Sequence, residues 1–156
     1  MKNNKGFSLV ELIIVIAIMA VLVGVLAPTY LQYVEKSKKS NDVSTVDSVI
    51  NAVEIGAIDP EVMTDATKTL TITFKSSAVM NITPSTETGA NGKWKSVVEA
   101  AVGTDVKLKS TNWDGDTIVI VAERDPATGS VKFSYGSGSA ANFKTYATSL
   151  TKVKNS

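Results

Sequence analysis

One carboxylate stands alone near the start of a long apolar stretch of this chain. Glu11 follows "GFSLV" and precedes "LIIVIAIMAVLVGVLA", in which every residue is apolar or glycine. An ionised carboxylate at a bilayer centre costs roughly 2.5–3.5 kcal/mol on insertion scales, so it suggests a functional site and requires a partner. The alternative is an interfacial glutamate that interacts only with the dipole of its own helix. The local residues alone do not decide between these two interpretations.

The composition supplies few other groups for catalysis. The 156 residues include no histidine and no cysteine, which removes the commonest general base, the commonest metal ligand and any disulfide. The formal net charge is +1, which gives no electrostatic case for nucleic acid. "NWDGD" (112–116) superficially resembles a calcium loop but lacks the distal glutamate, so a turn before a strand is the preferred interpretation. We expect no enzyme, no cofactor and no metal.

The apolar stretch is long enough to cross a membrane. The uncharged run from Leu12 to Val34 has 23 residues, and a membrane span needs about 20. Tyrosines at 30 and 33 suit the interface, and Lys2 and Lys5 predict a cytoplasmic N-terminus. The basic stretch "EKSKK" (35–39) argues weakly for the reverse orientation.

Two simpler explanations of this segment fit less well. A secretory signal peptide has an apolar core of about 7–15 residues that ends in small residues. This apolar run is longer, follows Glu11 directly, and has Pro28 after Ala27, which makes a poor site for cleavage. A plain membrane anchor explains the length but leaves the Gly-Phe-x-x-x-Glu spacing to chance.

The N-terminal residues resemble the leader and first helix of the type IV pilin and pseudopilin family. The resemblance rests on "KGFSLVELIIVIAI", in which Gly6 ends a basic leader, Phe7 follows, and Glu11 is the fifth residue after the junction. Pro28 occupies the place of a proline common in the family, 21 residues beyond Phe7. The resemblance covers about the first 34 residues. Many members have a disulfide in the C-terminal region, and this chain, without cysteine, cannot form one. This absence favours the cysteine-poor branch of Gram-positive bacteria.

The resemblance implies a processing and assembly pathway. A prepilin peptidase would cut between Gly6 and Phe7 and methylate the new amine of Phe7. That amine stays cationic near neutral pH, because an α-amino group has a pKa of about 8. It could pair with the Glu11 carboxylate in its own helix or on a neighbouring subunit, so cleavage would create the partner that Glu11 lacks. The further implied partners are a membrane platform with an assembly ATPase, membrane lipid, and other copies of the chain.

The rest of the chain predicts an α+β domain. We divide it into a leader (1–6), an apolar segment (7–34) that spans the membrane or forms the filament core, and an amphipathic half-helix with a globular domain (35–156). The N-terminal helix should end near Gly56 and bend at Pro28, with Gly24 as a second weak point. It should pack on a small antiparallel sheet. Predicted strands are 69–75, 106–109, 116–123 and 130–135, with a helical turn after Asp59, a loop over 81–93, a short helix over 94–102 and a weak helical pattern near the C-terminus.

Three functions remain open at this point. The first is a structural subunit of a type IV pilus, which forms a surface filament for adhesion, motility or aggregation. The second is a pseudopilin of a type II secretion or DNA-uptake machine, and the third is a minor pilin. The expected location is the cytoplasmic membrane as a single-pass precursor, and then the cell surface.

Overall fold

The structure is a computed structural model that describes residues 6–64, 68–84, 92–148 and 150–154. The contacts divide the chain into two compact units, residues 1–37 and residues 38–156. We call residues 38–156 the head. The elements in chain order are α1 (Leu9–Ala57), α2 (Pro60–Met63), β1 (Thr69–Lys75), β2 (Asn81–Pro84), α3 (Lys93–Val102), a 3₁₀ turn (Asp114–Asp116), β3 (Thr117–Arg124), β4 (Val131–Tyr135), α4 (Ala141–Tyr146) and β5 (Val153–Lys154).

The C-terminal part of α1 forms one wall of the core of the head. Apolar residues recur there at spacings of three and four, which places them on one face of a helix. That face packs with the inner face of the sheet, with α3 and with α4. The largest fully buried side chains of this core are Trp94, Phe74, Phe143, Ile50, Leu70, Ile72, Ile118, Ile120, Val46, Val49, Val53 and Val62.

The sheet has five strands in the order β2-β1-β3-β4-β5. β1 lies antiparallel to β2 and β3, and Ile72 pairs with Ile82 on one side and Ile120 on the other. Side chains of β1 and β3 alternate between buried and half-buried positions, as expected for a sheet with one face on the core. The predicted α+β class, a long N-terminal helix on a small antiparallel sheet, is confirmed. Only β5 departs from it, because it runs parallel to β4.

Two predictions about the segments around β1 were wrong. Asn81–Pro84 is an edge strand and not part of a loop, since Ile82 is buried against β1 and proline is tolerated at a sheet edge. The predicted strand over 106–109 is an extended segment outside the sheet. Its Leu108 N–H donates to the Lys75 carbonyl at 3.0 Å, but the next two N–H groups donate to a side chain and cannot continue a ladder.

That side chain is Asp42, a carboxylate of α1 with no exposed surface. Its oxygens accept hydrogen bonds from the backbone N–H of Lys109 at 2.7 Å, the backbone N–H of Ser110 at 3.0 Å and the Trp113 indole N–H at 2.8 Å. Charge-assisted hydrogen bonds of this kind are stronger than neutral ones. Asp42 therefore fixes the chain over 109–113 on α1.

Helix α3 packs closely on the end of α1. Gly56 makes this approach possible, because a Cβ atom there would lie 3.2 Å from Val97 Cγ1 and 3.6 Å from the Trp94 ring. The Trp94 indole N–H donates to the Val53 carbonyl of α1 at 2.9 Å. The predicted helix over 94–102 is confirmed with an end at Gly103, whose φ of 79° suits glycine. Both tryptophans of the chain lie in the core.

The C-terminal segment is fixed without a disulfide. Buried Leu150 and Val153 belong to the core, and β5 pairs with β4. The Lys152 ammonium lies 2.8 Å from Asn51 Oδ1 and 2.5 Å from a Glu54 oxygen, both on α1. Since Lys152 and Glu54 are about half exposed, this ion pair contributes only about 0–1 kcal/mol. Apolar burial and strand pairing therefore hold this segment more strongly than the ion pair.

Candidate assembly site

The junction between Gly6 and Phe7 lies just before the first turn of α1. The Phe7 side chain is 87% exposed, and no heavy atom would lie within 4 Å of a Cβ atom at Gly6. Lys2 and Lys5, the basic residues of the predicted leader, lie outside the described residues. Gly6 and Phe7 are therefore accessible from outside the chain. A larger side chain at Gly6 would not disturb any packed neighbour.

Glu11 caps the N-terminus of its own helix. Its Oε2 atom accepts a hydrogen bond from the backbone N–H of Ser8 at 2.9 Å, and the Leu12 N–H donates to the Ser8 carbonyl at 3.2 Å. Ser8 is the residue before the helix and Glu11 is the third residue in it, which is the spacing of a capping box. The structure thus gives Glu11 one partner in its own chain before any other copy is considered.

Sequence reasoning considered the helix dipole for Glu11 but missed this hydrogen bond. The signal was present, because Ser8-Leu9-Val10-Glu11 matches the S-x-x-E pattern that precedes an apolar helix. This hydrogen bond is compatible with the predicted pairing of Glu11 with the Phe7 amine, since a carboxylate has two oxygens and the Ser8 N–H uses only one of them.

The apolar segment presents its side chains outward on every side. All large apolar residues from Phe7 to Leu31 are at least 49% exposed, and so is Tyr33. α1 is near the N-terminus and is long and apolar enough to cross a membrane. Exposing this much apolar surface to water is strongly unfavourable, so the segment requires lipid or other apolar chains around it.

Gly24 and Pro28 lie one turn apart in this segment. Proline has no N–H, so Pro28 cannot donate to the carbonyl of Gly24, the residue four positions earlier. The helix assignment continues through Pro28, and the Thr29 hydroxyl donates to the Leu26 carbonyl at 2.8 Å. A Cβ atom at Gly24 would meet no atom within 4 Å. The missing backbone bond makes this the weakest turn of the segment on chemical grounds.

The "NWDGD" stretch is a turn before β3. Gly115 and Asp116 both have positive φ, 76° and 51°. The Ser76 hydroxyl donates to the Asp116 carboxylate, and this hydrogen bond holds the pKa of Asp116 below its usual value. Among the residues described here, no three histidine, cysteine, aspartate or glutamate side chains are grouped so that they could hold a metal ion. The hydrogen bond from Ser76 to Asp116 therefore stabilises the turn before β3.

Comparisons with known proteins agree with the N-terminal resemblance. Residues 1–27 match the family model described as "Prokaryotic N-terminal methylation motif". The chain is 35% identical over 68 residues to a "Fimbrial protein" of Pseudomonas aeruginosa. The matched region makes up 43% of this chain and 44% of that protein. It is 36% identical over 56 residues to a "Type IV major fimbrial protein FimA" of Dichelobacter nodosus, 36% of each chain. The chain thus spans less than half the length of these relatives. No solved structure matches it.

The chain combines a long apolar N-terminal helix, an α+β head and a methylation motif at its start. It is similar to the fimbrial proteins named above, and the predicted resemblance to the type IV pilin family is confirmed. Both relatives are named as fimbrial proteins, which supports the expectation that the chain is not an enzyme.

Proposed function

We propose that this chain is a structural subunit of a type IV pilus that polymerises through its N-terminal helix into a surface filament. The observation that carries the proposal is the apolar segment, whose side chains are exposed on all sides. Lipid can cover such a surface in a single-pass precursor, and the same segments of other copies can cover it in a filament. The name of the Dichelobacter nodosus relative, a major fimbrial protein, favours a pilus subunit over a pseudopilin or a minor pilin.

The proposed maturation begins with cleavage between Gly6 and Phe7 by a prepilin peptidase, followed by methylation of the Phe7 amine. The methylated amine keeps its positive charge and lies four residues before Glu11, whose second carboxylate oxygen remains open to it. A membrane platform and an assembly ATPase would then add the subunit to the filament. Pairing of Phe7 and Glu11 between subunits would favour addition in register, because an unpaired carboxylate in apolar surroundings is costly.

The proposed processing predicts a defined N-terminus. Mass spectrometry of surface material should find chains that begin at Phe7 with a methylated amine. Gly6→Ala should be tolerated in part, whereas a bulky Gly6→Val should block cleavage, because the peptidase must accept the residue before the cut. Since Gly6 has no packed neighbour, a failure of Gly6→Val cannot be attributed to the fold. An intact Met1, or a cut after Ala27, in filaments would contradict the proposal.

A shortened chain that lacks most of the apolar segment should not form filaments. A chain that begins at Tyr30 keeps the whole head and loses most of the exposed apolar surface. We expect it to be soluble, folded and monomeric, as measured by size-exclusion chromatography and circular dichroism. Filaments of native width from the shortened chain, seen by electron microscopy, would show that the segment is not the assembly element.

A further inference from the structure

An amine, a carboxamide and a carboxylate meet where the C-terminal segment lies against α1. The Lys152 ammonium nitrogen is 2.8 Å from the Asn51 amide oxygen and 2.5 Å from a Glu54 carboxylate oxygen. Asn51 and Glu54 are three residues apart in α1, so they lie on one side of the helix. Lys152 comes from a point 101 residues after Asn51. We call these three residues, all within the head, the lysine–amide site.

The three groups are the reactants and the proton carrier of an amide exchange. A lysine amine is a nucleophile once it has lost its proton, and an adjacent base activates it by taking that proton. The Glu54 carboxylate accepts the hydrogen bond of the Lys152 ammonium, so it is in position to act as that base. The Asn51 amide carbon is an electrophile whose nitrogen can leave. The site therefore contains every group that a Lys–Asn amide bond requires.

The amine lies close to the carbon that it would attack. A C=O bond is about 1.2 Å long, so the contact with Asn51 Oδ1 places the Lys152 nitrogen within about 4 Å of the amide carbon. Reacting atoms in a near-attack geometry are about 3–3.5 Å apart, a distance that a small side-chain rotation reaches. The nitrogen that would leave, Asn51 Nδ2, is 3.4 Å from an Asp47 oxygen on the other side of the amide. It therefore does not block the approach of the amine.

Solvent exposure makes the reaction slow but does not change its direction. Asn51 is half-buried, and the side chains of Lys152 and Glu54 are 44% and 47% exposed. An amine that water can reach is charged most of the time at neutral pH, so attack is infrequent. Holding the reactants together offsets part of this cost, since intramolecular reactions can reach effective molarities of about 10⁵–10⁸ M. The released ammonium diffuses away, so the linked product accumulates as the protein ages.

We propose that Lys152 and Asn51 become joined by an amide bond, with Glu54 as the proton carrier. Glu54 takes a proton from the Lys152 ammonium, and the neutral amine attacks the Asn51 amide carbon. One C–N bond forms and the bond from that carbon to Asn51 Nδ2 breaks. Two protons in all move from the Lys152 nitrogen to the departing nitrogen, which leaves as ammonium. Glu54 ends unchanged, and nothing is oxidised or reduced.

The bond gives the C-terminal segment a covalent attachment to α1 in a chain that has no cysteine. It closes a loop from Asn51 to Lys152, and a cross-link over a long loop stabilises a fold mainly by restricting the unfolded chain. All the groups involved belong to the head. The inference is therefore independent of membrane insertion and of filament formation.

Mass spectrometry of the ageing full chain tests the proposal. The purified chain is kept in detergent micelles, and samples taken at increasing times are digested with trypsin. We expect a branched peptide that joins Asn51 to Lys152, is lighter by one ammonia than its two parts, and grows in amount with time. Glu54→Gln should slow its formation by at least about a hundredfold, the usual contribution of a general acid–base group. Lys152→Arg keeps a cation beside Glu54 but has no amine, so no link should form.

Lys95→Arg is the matched control, because Lys95 belongs to a different ion pair of the head, with Glu99 at 3.7 Å. It should link Asn51 to Lys152 at the normal rate, and circular dichroism should show that all variants are folded. A chain without the linked peptide, including one in which Asn51 is only hydrolysed to aspartate, would overturn the inference. Cross-links spread over several lysines, or an equal rate of linkage in Glu54→Gln, would overturn it as well.

Discussion

Cells that make Glu11→Ala as their only subunit should produce few or no filaments. The substitution leaves the apolar surface intact and should leave cleavage between Gly6 and Phe7 unaffected. It removes the carboxylate that we propose as the partner of the Phe7 amine. Loss of one member of a buried ion pair typically costs about 3–5 kcal/mol, so the processed subunit should accumulate in the membrane. Filaments counted by electron microscopy, with processed subunit measured by immunoblot of the membrane fraction, give the result.

Glu11→Gln is the matched control, because the structure gives Glu11 a second role. Glutamine can still accept the Ser8 N–H in a capping box but carries no charge. If pairing with the Phe7 amine drives assembly, Glu11→Gln should fail like Glu11→Ala. If the hydrogen bond to Ser8 is what matters, Glu11→Gln should form filaments at nearly the normal level. A capping or dipole contribution alone is about 1 kcal/mol, so its loss in Glu11→Ala should lower filament numbers without abolishing them. Normal filament numbers from Glu11→Gln would refute the pairing role.

Asp42→Ala should destabilise the head by about 3 to 5 kcal/mol. The substitution leaves the N–H groups of Lys109, Ser110 and Trp113 without their acceptor in a buried site, and each lost partner costs about 1–3 kcal/mol without full additivity. Urea unfolding of the full chain in detergent micelles measures the loss. Tryptophan fluorescence is a suitable signal, because the Trp113 indole contacts Asp42 directly.

Asp47→Ala controls for the same change of residue type in the same helix. Asp47 is half-buried, and within the described part of the chain its side chain makes a long contact of 3.4 Å with the Asn51 amide. Its replacement should therefore change the free energy of unfolding by less than about 0.5 kcal/mol. Asp42→Asn should fall between the two alanine variants, since one oxygen remains to accept. Equal stability of Asp42→Ala and Asp47→Ala would show that the buried carboxylate is not the fixing point of the chain over 109–113.

The sequence by itself determined the long N-terminal helix and the resemblance to type IV pilins, and it predicted the position of the processing junction. These features are local, because the apolar run, Gly6, Phe7 and Glu11 lie within one continuous segment whose register needs no knowledge of the rest of the chain. The strands β1, β3 and β4 were also predictable from local signals, since their β-branched and aromatic residues lie between clear turns. The predicted bend at Pro28 and the roles of Gly6, Phe7, Glu11 and Gly24 stay predictions.

Only the tertiary structure decided the role of Asp42. By sequence, Asp42 is one of many polar residues in the C-terminal half of α1. Its hydrogen-bond partners lie 67 to 71 residues further along the sequence. Because those partners are backbone N–H groups and an indole, no charge pattern reveals them. The same carboxylate explains why 106–109 is not a strand. The strand β2 and the two-residue β5 were likewise set by pairing with a distant strand, since their own residues carry too weak a signal to fix a short edge strand.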